Sequence, residues 1–168
     1  EVAALFLYSF QHWRMDVQGT NIAPVVEDIN ALLEERGFSG RFAAFTLAIL
    51  DLRSGEITLC SAGDSRLQVY DALMQKKRTF PLPETPAAGM FSREVVAQSG
   101  GYATVRHTLQ KGDVLFLFTD GLEESAFWGE QFGAERIDAI IECVFAGGRY
   151  TLVRKDGRSF TFDFAGSP

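Results

Sequence analysis

The stretch Lys111-Gly-Asp-Val-Leu-Phe-Leu-Phe-Thr-Asp-Gly-Leu-Glu-Glu-Ser125 decides how the rest of the chain is interpreted. It opens with turn-forming residues, and Val114 to Phe118 form an apolar run of the length expected for a strand buried on both faces. The run leads to Asp120, and Gly121 behind it lets the backbone bend sharply. We therefore expect a carboxylate at the rim of a sheet, where it can bind Mg²⁺ or Mn²⁺. Without a metal, the same Asp-Gly pair is simply a turn.

Four segments of the chain form a recognisable series. They are Phe45 to Asp71, which includes Ser61-Ala62-Gly63-Asp64, then Gly112-Asp113, Thr119-Asp120-Gly121-Leu122-Glu123-Glu124 and Phe132-Gly133-Ala134-Glu135-Arg136-Ile137. Their order and separation resemble the SpoIIE-like branch of the PPM, or protein phosphatase 2C-type, metal-dependent serine/threonine phosphatases. The similarity covers roughly Val2 to Val144. It implies that Asp120, with Gly121 behind it, belongs to a metal site.

The resemblance implies a fold, a reaction and a cellular setting. The fold is α+β, an antiparallel β-sandwich flanked by helices in α-β-β-α layers and incomplete at its N-terminus. Residues 1–168 then form a single domain, part of a phosphatase domain. Its reaction is hydrolysis of phosphoserine or phosphothreonine on a regulatory protein in bacterial signalling, such as an anti-sigma-factor antagonist, by water bridging two Mn²⁺ or Mg²⁺ ions. We expect the protein itself to be cytoplasmic.

Only one of the family's metal-binding motifs has a match, Asp120. The family's early Asp-x-Ser-Gly-His-Gly motif and its late Asp-Asp-x-Thr motif have none, and Asp163 is a lone acid that we interpret as a surface strand residue. Three explanations compete: a truncated phosphatase domain, a non-catalytic pseudophosphatase module that binds a signalling partner, or ligands supplied from beyond Pro168. We favour truncation, and we expect this chain alone to hold metals weakly or not at all. An unrelated α+β binding domain is a further reading.

Four other residues are candidates for positions beside the metal site. Asp64 stands where the family commonly has a histidine, and it either helps to hold a water molecule or caps its own loop. Arg66 either contacts phosphate, because a guanidinium can engage two oxygens, or is a surface strand residue. Glu123 and Glu124 either tune the site or cap the turn that follows.

The pattern along the chain predicts several helices and strands. Helices are expected at Val2 to Met15 and at Ile22 to Arg36, with Asn21 as N-cap, and another at Phe132 to Phe145, ended by Gly147-Gly148. Three hairpins are expected. They join Arg41–Leu52 to Glu56–Ala62, Tyr102–Leu109 to Val114–Phe118, and Arg149–Arg154 to Arg158–Phe164. A half-exposed strand is expected at Arg66 to Tyr70, and an irregular connection at Ala72 to Gly101.

Composition excludes several classes of protein. A net charge of -6 and an isolated basic cluster, Lys76-Lys77-Arg78, argue against a nucleic-acid surface. No stretch approaches the 18 apolar residues of a membrane span. Cys60 and Cys143 lack metal-ligand spacing, so we expect buried free thiols in a reducing cytoplasm. The 15 phenylalanines predict an aromatic-rich core, and nothing indicates an oligomeric state.

Overall fold

A computed structural model of the chain describes residues 4, 7–9, 12, 13, 20–35, 40, 42–118, 120–127 and 129–164. The chain divides into two compact units. The first comprises Glu1–Ser65 and Leu82–Leu109, and the second comprises Arg66–Pro81 and Gln110–Pro168. The polypeptide therefore passes from one unit to the other three times. That residues 1–168 belong to a single phosphatase domain stays a prediction.

The described elements are helices and antiparallel strands. The helices are α1 (Ala23–Glu35), α2 (Arg93–Gln98), α3 (Asp120–Glu123) and α4 (Ala134–Ala146). The strands are β1 (Phe45–Leu50), β2 (Glu56–Ala62), β3 (Arg66–Asp71), β4 (Lys76–Thr79), β5 (Val105–Thr108), β6 (Val114–Phe118), β7 (Ala126–Phe127), β8 (Glu130–Gln131), β9 (Arg149–Val153) and β10 (Ser159–Asp163).

In the first unit, helix α1 provides much of the core. Its apolar residues recur at three- and four-residue intervals and are buried, as the sequence predicts. The Asn21 side chain accepts a bond from the Ala23 N–H at 3.3 Å, in keeping with its predicted capping role. The buried Asn30 ties α1 to neighbouring loops, because it accepts bonds from the Gly89 N–H at 2.8 Å and the Tyr102 hydroxyl at 3.2 Å.

Strands β1, β2 and β5 form the antiparallel sheet of the first unit, with β2 in the centre. The predicted β1–β2 hairpin is confirmed, with Phe45 opposite Ala62 and Leu50 opposite Ile57. The Asp51 carboxylate holds its turn by accepting a bond from the Arg53 N–H at 2.9 Å. Cys60, on β2, is a free thiol with no exposed surface, and burial raises its pKa to about 12.

The second unit contains an antiparallel sheet in which β3 lies between β4 and β6. Arg66 of β3 is opposite Phe118 of β6, and Asp71 is opposite Lys76 of β4. Alternate β6 side chains, Val114, Phe116 and Phe118, pack against a cluster that includes Ile137 and Ile141 of α4. Phe145 of α4 stacks on Tyr70 of β3 with ring centroids 4.5 Å apart, so this core has the expected aromatic character.

The C-terminal part of the second unit follows the sequence prediction. Helix α4 ends at Gly147, which adopts the left-handed conformation with φ of 66°. Strands β9 and β10 then form the hairpin predicted around Asp156-Gly157. Asp163 lies at the end of β10, exposed and paired with Arg149 at 2.9 Å, as expected of a surface strand residue.

One predicted hairpin was wrong. Val105–Thr108 does not pair with Val114–Phe118: β5 pairs with β2, and β6 pairs with β3. The predicted turn does form, with the Asp113 N–H donating to the Gln110 carbonyl at 3.0 Å. The turn carries the chain from one unit to the other instead of folding it back on itself. Alternation of side chains predicts that a strand exists, but it does not select its partner.

Several predictions of strand burial were also wrong. The chain from Arg41 to Leu52 and strand β6 were expected to be covered on both faces, yet Leu50 is 44% exposed and Leu117 is 52% exposed. In each strand the alternate side chains pack against a core, whereas Leu50 and Leu117 lie on the opposite face, which no described core cluster covers. Conversely, β3 is buried from Leu67 to Tyr70 because it is central, although a half-exposed strand was predicted. The connection from Ala72 to Gly101 was expected to be irregular, but it contains β4 and α2.

The helix predicted from Val2 to Met15 lies mostly outside the described residues. Ala4, Leu7 to Ser9 and His12 are helical. Ser9 is buried, whereas Leu7 and Tyr8 are more than half exposed. The positions predicted for the end of α1, Arg36 and Gly37, also lie outside the described part of the chain.

Candidate metal-binding turn

Asp120 begins a short exposed turn directly after strand β6. It is the first residue of α3, and Gly121, Leu122 and Glu123 complete that four-residue helix. The Glu124 N–H donates to the Asp120 carbonyl at 2.8 Å, which closes the turn. Asp120 and Gly121 are exposed, and the Asp120 carboxylate has no hydrogen-bond partner among the described residues. It is therefore available to a ligand without first losing a contact with any described residue.

An ion pair joins two of the predicted neighbours of the site. Arg66, the first residue of β3, donates from Nη1 to Glu123 Oε1 at 2.5 Å. The Arg66 side chain is 43% exposed and that of Glu123 is 13% exposed. The Glu123 carbonyl also accepts a bond from the Gly133 N–H at 2.9 Å. These contacts anchor the Asp120 turn to strand β3 and to the start of α4.

Arg66 is therefore partly engaged. One edge of its guanidinium donates to Glu123, and the rest of the side chain is partly exposed to solvent. A phosphate contact by Arg66 stays a prediction. Glu124, the last of the acidic residues after Asp120, is exposed on the same turn, and no bond of its side chain is found among the described residues.

Asp64 lies in the first unit, in the loop that follows β2. It is exposed at the mouth of a cleft of about 260 Å³ whose other walls are formed by the segment from Leu82 to Thr85. The loop is held by backbone and hydroxyl contacts: the Gly63 N–H donates to the Pro86 carbonyl at 3.0 Å, and Thr85 Oγ1 donates to the Ser61 carbonyl at 2.8 Å. Within the described part of the chain, the Asp64 carboxylate makes no bond that caps this loop.

A divalent metal needs several oxygen ligands in one place. Among the described residues, no three His, Cys, Asp or Glu side chains converge into a group that could hold a metal ion. Asp120 is thus one exposed carboxylate, and the residues of the described structure do not by themselves fit a centre for two metal ions.

The sequence also matches a family model over most of its length. The model described as stage II sporulation protein E, SpoIIE, matches residues 5–151, which include Asp120 and the turn around it. The chain belongs to the SpoIIE family. Strand β10 lies beyond the matched residues of this SpoIIE-family chain. No curated protein matches the sequence.

Two similar solved structures support the fold assignment. The SiaA-PP2C domain of Pseudomonas aeruginosa has a TM-score of 0.63 and 17% identity, over 84% of this chain and 53% of that one. The RsbU and RsbW domains of Rv1364c from Mycobacterium tuberculosis give a TM-score of 0.62 and 18% identity, over 86% of this chain and 38% of that one. The predicted α+β, PP2C-type fold is confirmed. The SpoIIE-family chain spans about half, or less, of the length of these two structures.

The sequence did not reveal the charged groups that hold the second unit together. Glu130 accepts hydrogen bonds from the Arg136 guanidinium and, at 3.1 Å, from the Lys155 N–H, and these bonds hold its pKa below the usual value. Asp113 accepts bonds from two backbone N–H groups and from Arg78. Burial alone would raise the pKa of the Asp113 carboxyl, but the bonds from Gln110, Ala72 and Arg78 outweigh it and lower the pKa.

No described helix is both long enough and apolar enough to cross a bilayer.

Proposed function

We propose that this SpoIIE-family chain is part of a phosphatase domain that hydrolyses phosphoserine or phosphothreonine on a regulatory protein in bacterial signalling. The observation that carries the proposal is the exposed Asp120 carboxylate, which follows β6 inside the segment that matches the SpoIIE family. Its turn is anchored by the Arg66–Glu123 ion pair, so a ligand there would be held at a fixed position on the sheet. Carboxylates of this kind are the ligands that Mn²⁺ and Mg²⁺ prefer.

The proposal assigns different roles to the residues around this turn. Asp120, with the small Gly121 behind it, contributes one metal ligand. Glu123 is a positioning residue, because its ion pair with Arg66 fixes the turn. The remaining ligands belong to a complete domain of which this chain is a truncated portion. The substrate class we propose is a phosphoprotein such as an anti-sigma-factor antagonist, and the compartment we propose for the phosphatase is the cytoplasm.

The test measures phosphate release by the full-length protein that contains this chain. The substrates are p-nitrophenyl phosphate and a phosphoserine protein, each with and without Mn²⁺. Asp120→Asn keeps the size of the side chain and removes its charge. We expect it to lower the Mn²⁺-dependent rate by at least about 100-fold, because a catalytic metal supplies several kcal/mol of transition-state stabilisation.

The matched control is Asp28→Asn, the same chemical change on an exposed surface of α1. Among the described residues, Asp28 pairs only with the exposed Arg93, at 3.4 Å, so its substitution should leave the rate unchanged. Equal rates in wild type and Asp120→Asn, with Mn²⁺-dependent turnover in both, would exclude Asp120 as a ligand.

A second candidate is a non-catalytic module that has kept the fold in order to bind a signalling partner. It is favoured by the lack of three convergent metal-binding side chains among the described residues. It predicts no Mn²⁺-dependent phosphate release by the full-length protein and no difference between wild type and Asp120→Asn in either assay.

A further inference from the structure

The hairpin of β9 and β10 has an outer edge that no described strand covers. Strands β9 and β10 form a two-stranded sheet, and no described strand pairs with the outer side of β10. All five residues of β10 are exposed. The strand contains neither proline nor lysine, the residues that commonly protect such an edge from pairing with another chain.

The backbone groups on this edge can be assigned from the hairpin's own hydrogen bonds. The Arg154 N–H donates to the Arg158 carbonyl at 2.8 Å, and the Phe164 N–H donates to the Gly148 carbonyl at 2.9 Å. In an antiparallel pair, hydrogen-bonded and non-hydrogen-bonded positions alternate. The even-numbered residues of β10 therefore bond to β9. Ser159, Thr161 and Asp163 direct their N–H and C=O groups outward.

The two faces of the hairpin differ in polarity. Phe160 is opposite Leu152, and Phe162 is opposite Tyr150, so four apolar or aromatic side chains share one face. Phe160 and Phe162 remain 49% and 48% exposed, although Phe160 also lines a cleft of about 240 Å³ with Leu152 and Phe132. On the other face, Thr151 and Thr161 are joined through their hydroxyls at 3.0 Å. The apolar face is thus only half covered along β10.

We propose that β10 pairs with β10 of a second copy of this chain, antiparallel and with a two-fold axis at Thr161. The sequence Ser159-Phe-Thr-Phe-Asp163 is symmetric about Thr161 in its pattern of side chains. This register places Thr161 opposite Thr161 of the second copy and Ser159 opposite Asp163. At each of these positions the backbone N–H and C=O groups of the two copies face each other, as a hydrogen-bonded ladder requires.

The side chains of β10 are also compatible with this register. Each Phe160 lies opposite a Phe162, so the exposed apolar faces of two hairpins become one face of a four-stranded sheet. The only charge on β10, Asp163, is already paired with Arg149 at 2.9 Å and faces the neutral Ser159 of the second copy. Both copies use the same strand edge, and that edge is complementary to itself, which is the condition for a closed two-fold dimer.

The test is sedimentation equilibrium of the chain over a wide concentration range, with two substitutions at Thr161. Thr161→Pro removes an outward N–H but no bond to β9. Thr161→Val keeps the N–H and loses the same hydroxyl contact with Thr151. We expect the average mass of wild type and Thr161→Val to rise from 18.6 kDa towards twice that value, and Thr161→Pro to stay at 18.6 kDa.

Far-UV circular dichroism shows whether Thr161→Pro retains the fold. If it does not, Ser159→Asp and Ser159→Asn replace it: the aspartate would stand opposite Asp163 twice per dimer and weaken association, whereas asparagine would not. The proposal is overturned by a wild-type mass of 18.6 kDa at every concentration, by a folded Thr161→Pro that associates like wild type, or by equal association of the two Ser159 variants.

Discussion

Asp113 shows how one carboxylate can hold three segments of the second unit. Its side chain has no exposed surface. It accepts bonds from the Gln110 N–H at 2.9 Å, the Ala72 N–H at 3.1 Å and the Arg78 guanidinium at 3.4 Å. It therefore ties the turn before β6 to the β3–β4 connection. The sequence points to Asp113 only as part of a turn, because a bond between residues 41 positions apart has no local pattern.

Removing the Asp113 carboxylate should be costly. Asp113→Ala leaves two backbone N–H groups and a guanidinium without their acceptor, and we expect the free energy of unfolding to fall by about 2–3 kcal/mol. Asp28→Ala, an exposed carboxylate paired with an exposed arginine, should change it by less than about 1 kcal/mol. Urea denaturation of the three proteins measures both values. Equal losses of unfolding free energy in Asp113→Ala and Asp28→Ala would show that the hydrogen bonds of Asp113 do not add to stability.

The same residue predicts a dependence of stability on pH. The folded-state pKa of Asp113 is lowered, so the unfolded chain binds a proton more readily than the folded one. The stabilisation is fully present above the unfolded-state pKa of about 3.9 and is lost as the pH falls through the folded-state value. In urea denaturation between neutral and acid pH, Asp113→Asn should lose less stability below about pH 4 than wild type does. Parallel curves would contradict this assignment.

At the scale of elements, two glycines with similar positive φ angles have different surroundings. Gly147 ends α4 with φ of 66°, and a Cβ there would meet nothing within 4 Å. Gly55 lies in the β1–β2 turn with φ of 74°, and a Cβ there would lie 2.5 Å from the Leu109 carbonyl oxygen. The Gly55 carbonyl also accepts a bond from the Leu109 N–H at 2.9 Å.

Alanine at these two positions should therefore have unequal effects. Gly147→Ala carries only the strain of the left-handed conformation, about 1–2 kcal/mol. Gly55→Ala adds a clash with backbone that cannot rotate away, and we expect a further loss of about 1–3 kcal/mol. Thermal denaturation of both variants provides the comparison. A Gly147→Ala variant as unstable as Gly55→Ala would mean that the β1–β2 turn is not held against Leu109.

Local signals predicted the elements better than they predicted strand partners. The period of α1, the glycine after α4 and the Asp156-Gly157 turn each depend on residues close in sequence, and all three were recovered. Strands β5 and β6 were recognised, but their partners are set by β2 and β3, which lie far away in sequence. Strand β4 was missed because it has no apolar residue and contains the charged Lys77 and Arg78. Lys77 forms an ion pair with Asp138, and Arg78 forms one with Asp113.

At the scale of the whole molecule, order and spacing of motifs predicted the family that the match over residues 5–151 confirms. The candidate site could be predicted only in part. Asp120 was located at the end of β6, and Arg66 and Glu123 were both suspected, but their ion pair with each other was not. A pair of residues 57 positions apart meets only because β3 and β6 are neighbours in one sheet.

The most direct test of the central claim is calorimetric titration of Mn²⁺ into the full-length protein, its Asp120→Asn variant and the Asp28→Asn control. We predict that Asp120→Asn weakens Mn²⁺ binding by at least about tenfold, since even residues that only support a metal ligand commonly contribute 10–100-fold to affinity. Asp28→Asn should bind Mn²⁺ as the wild type does. Identical binding isotherms for wild type and Asp120→Asn would contradict the assignment of Asp120 as a metal ligand.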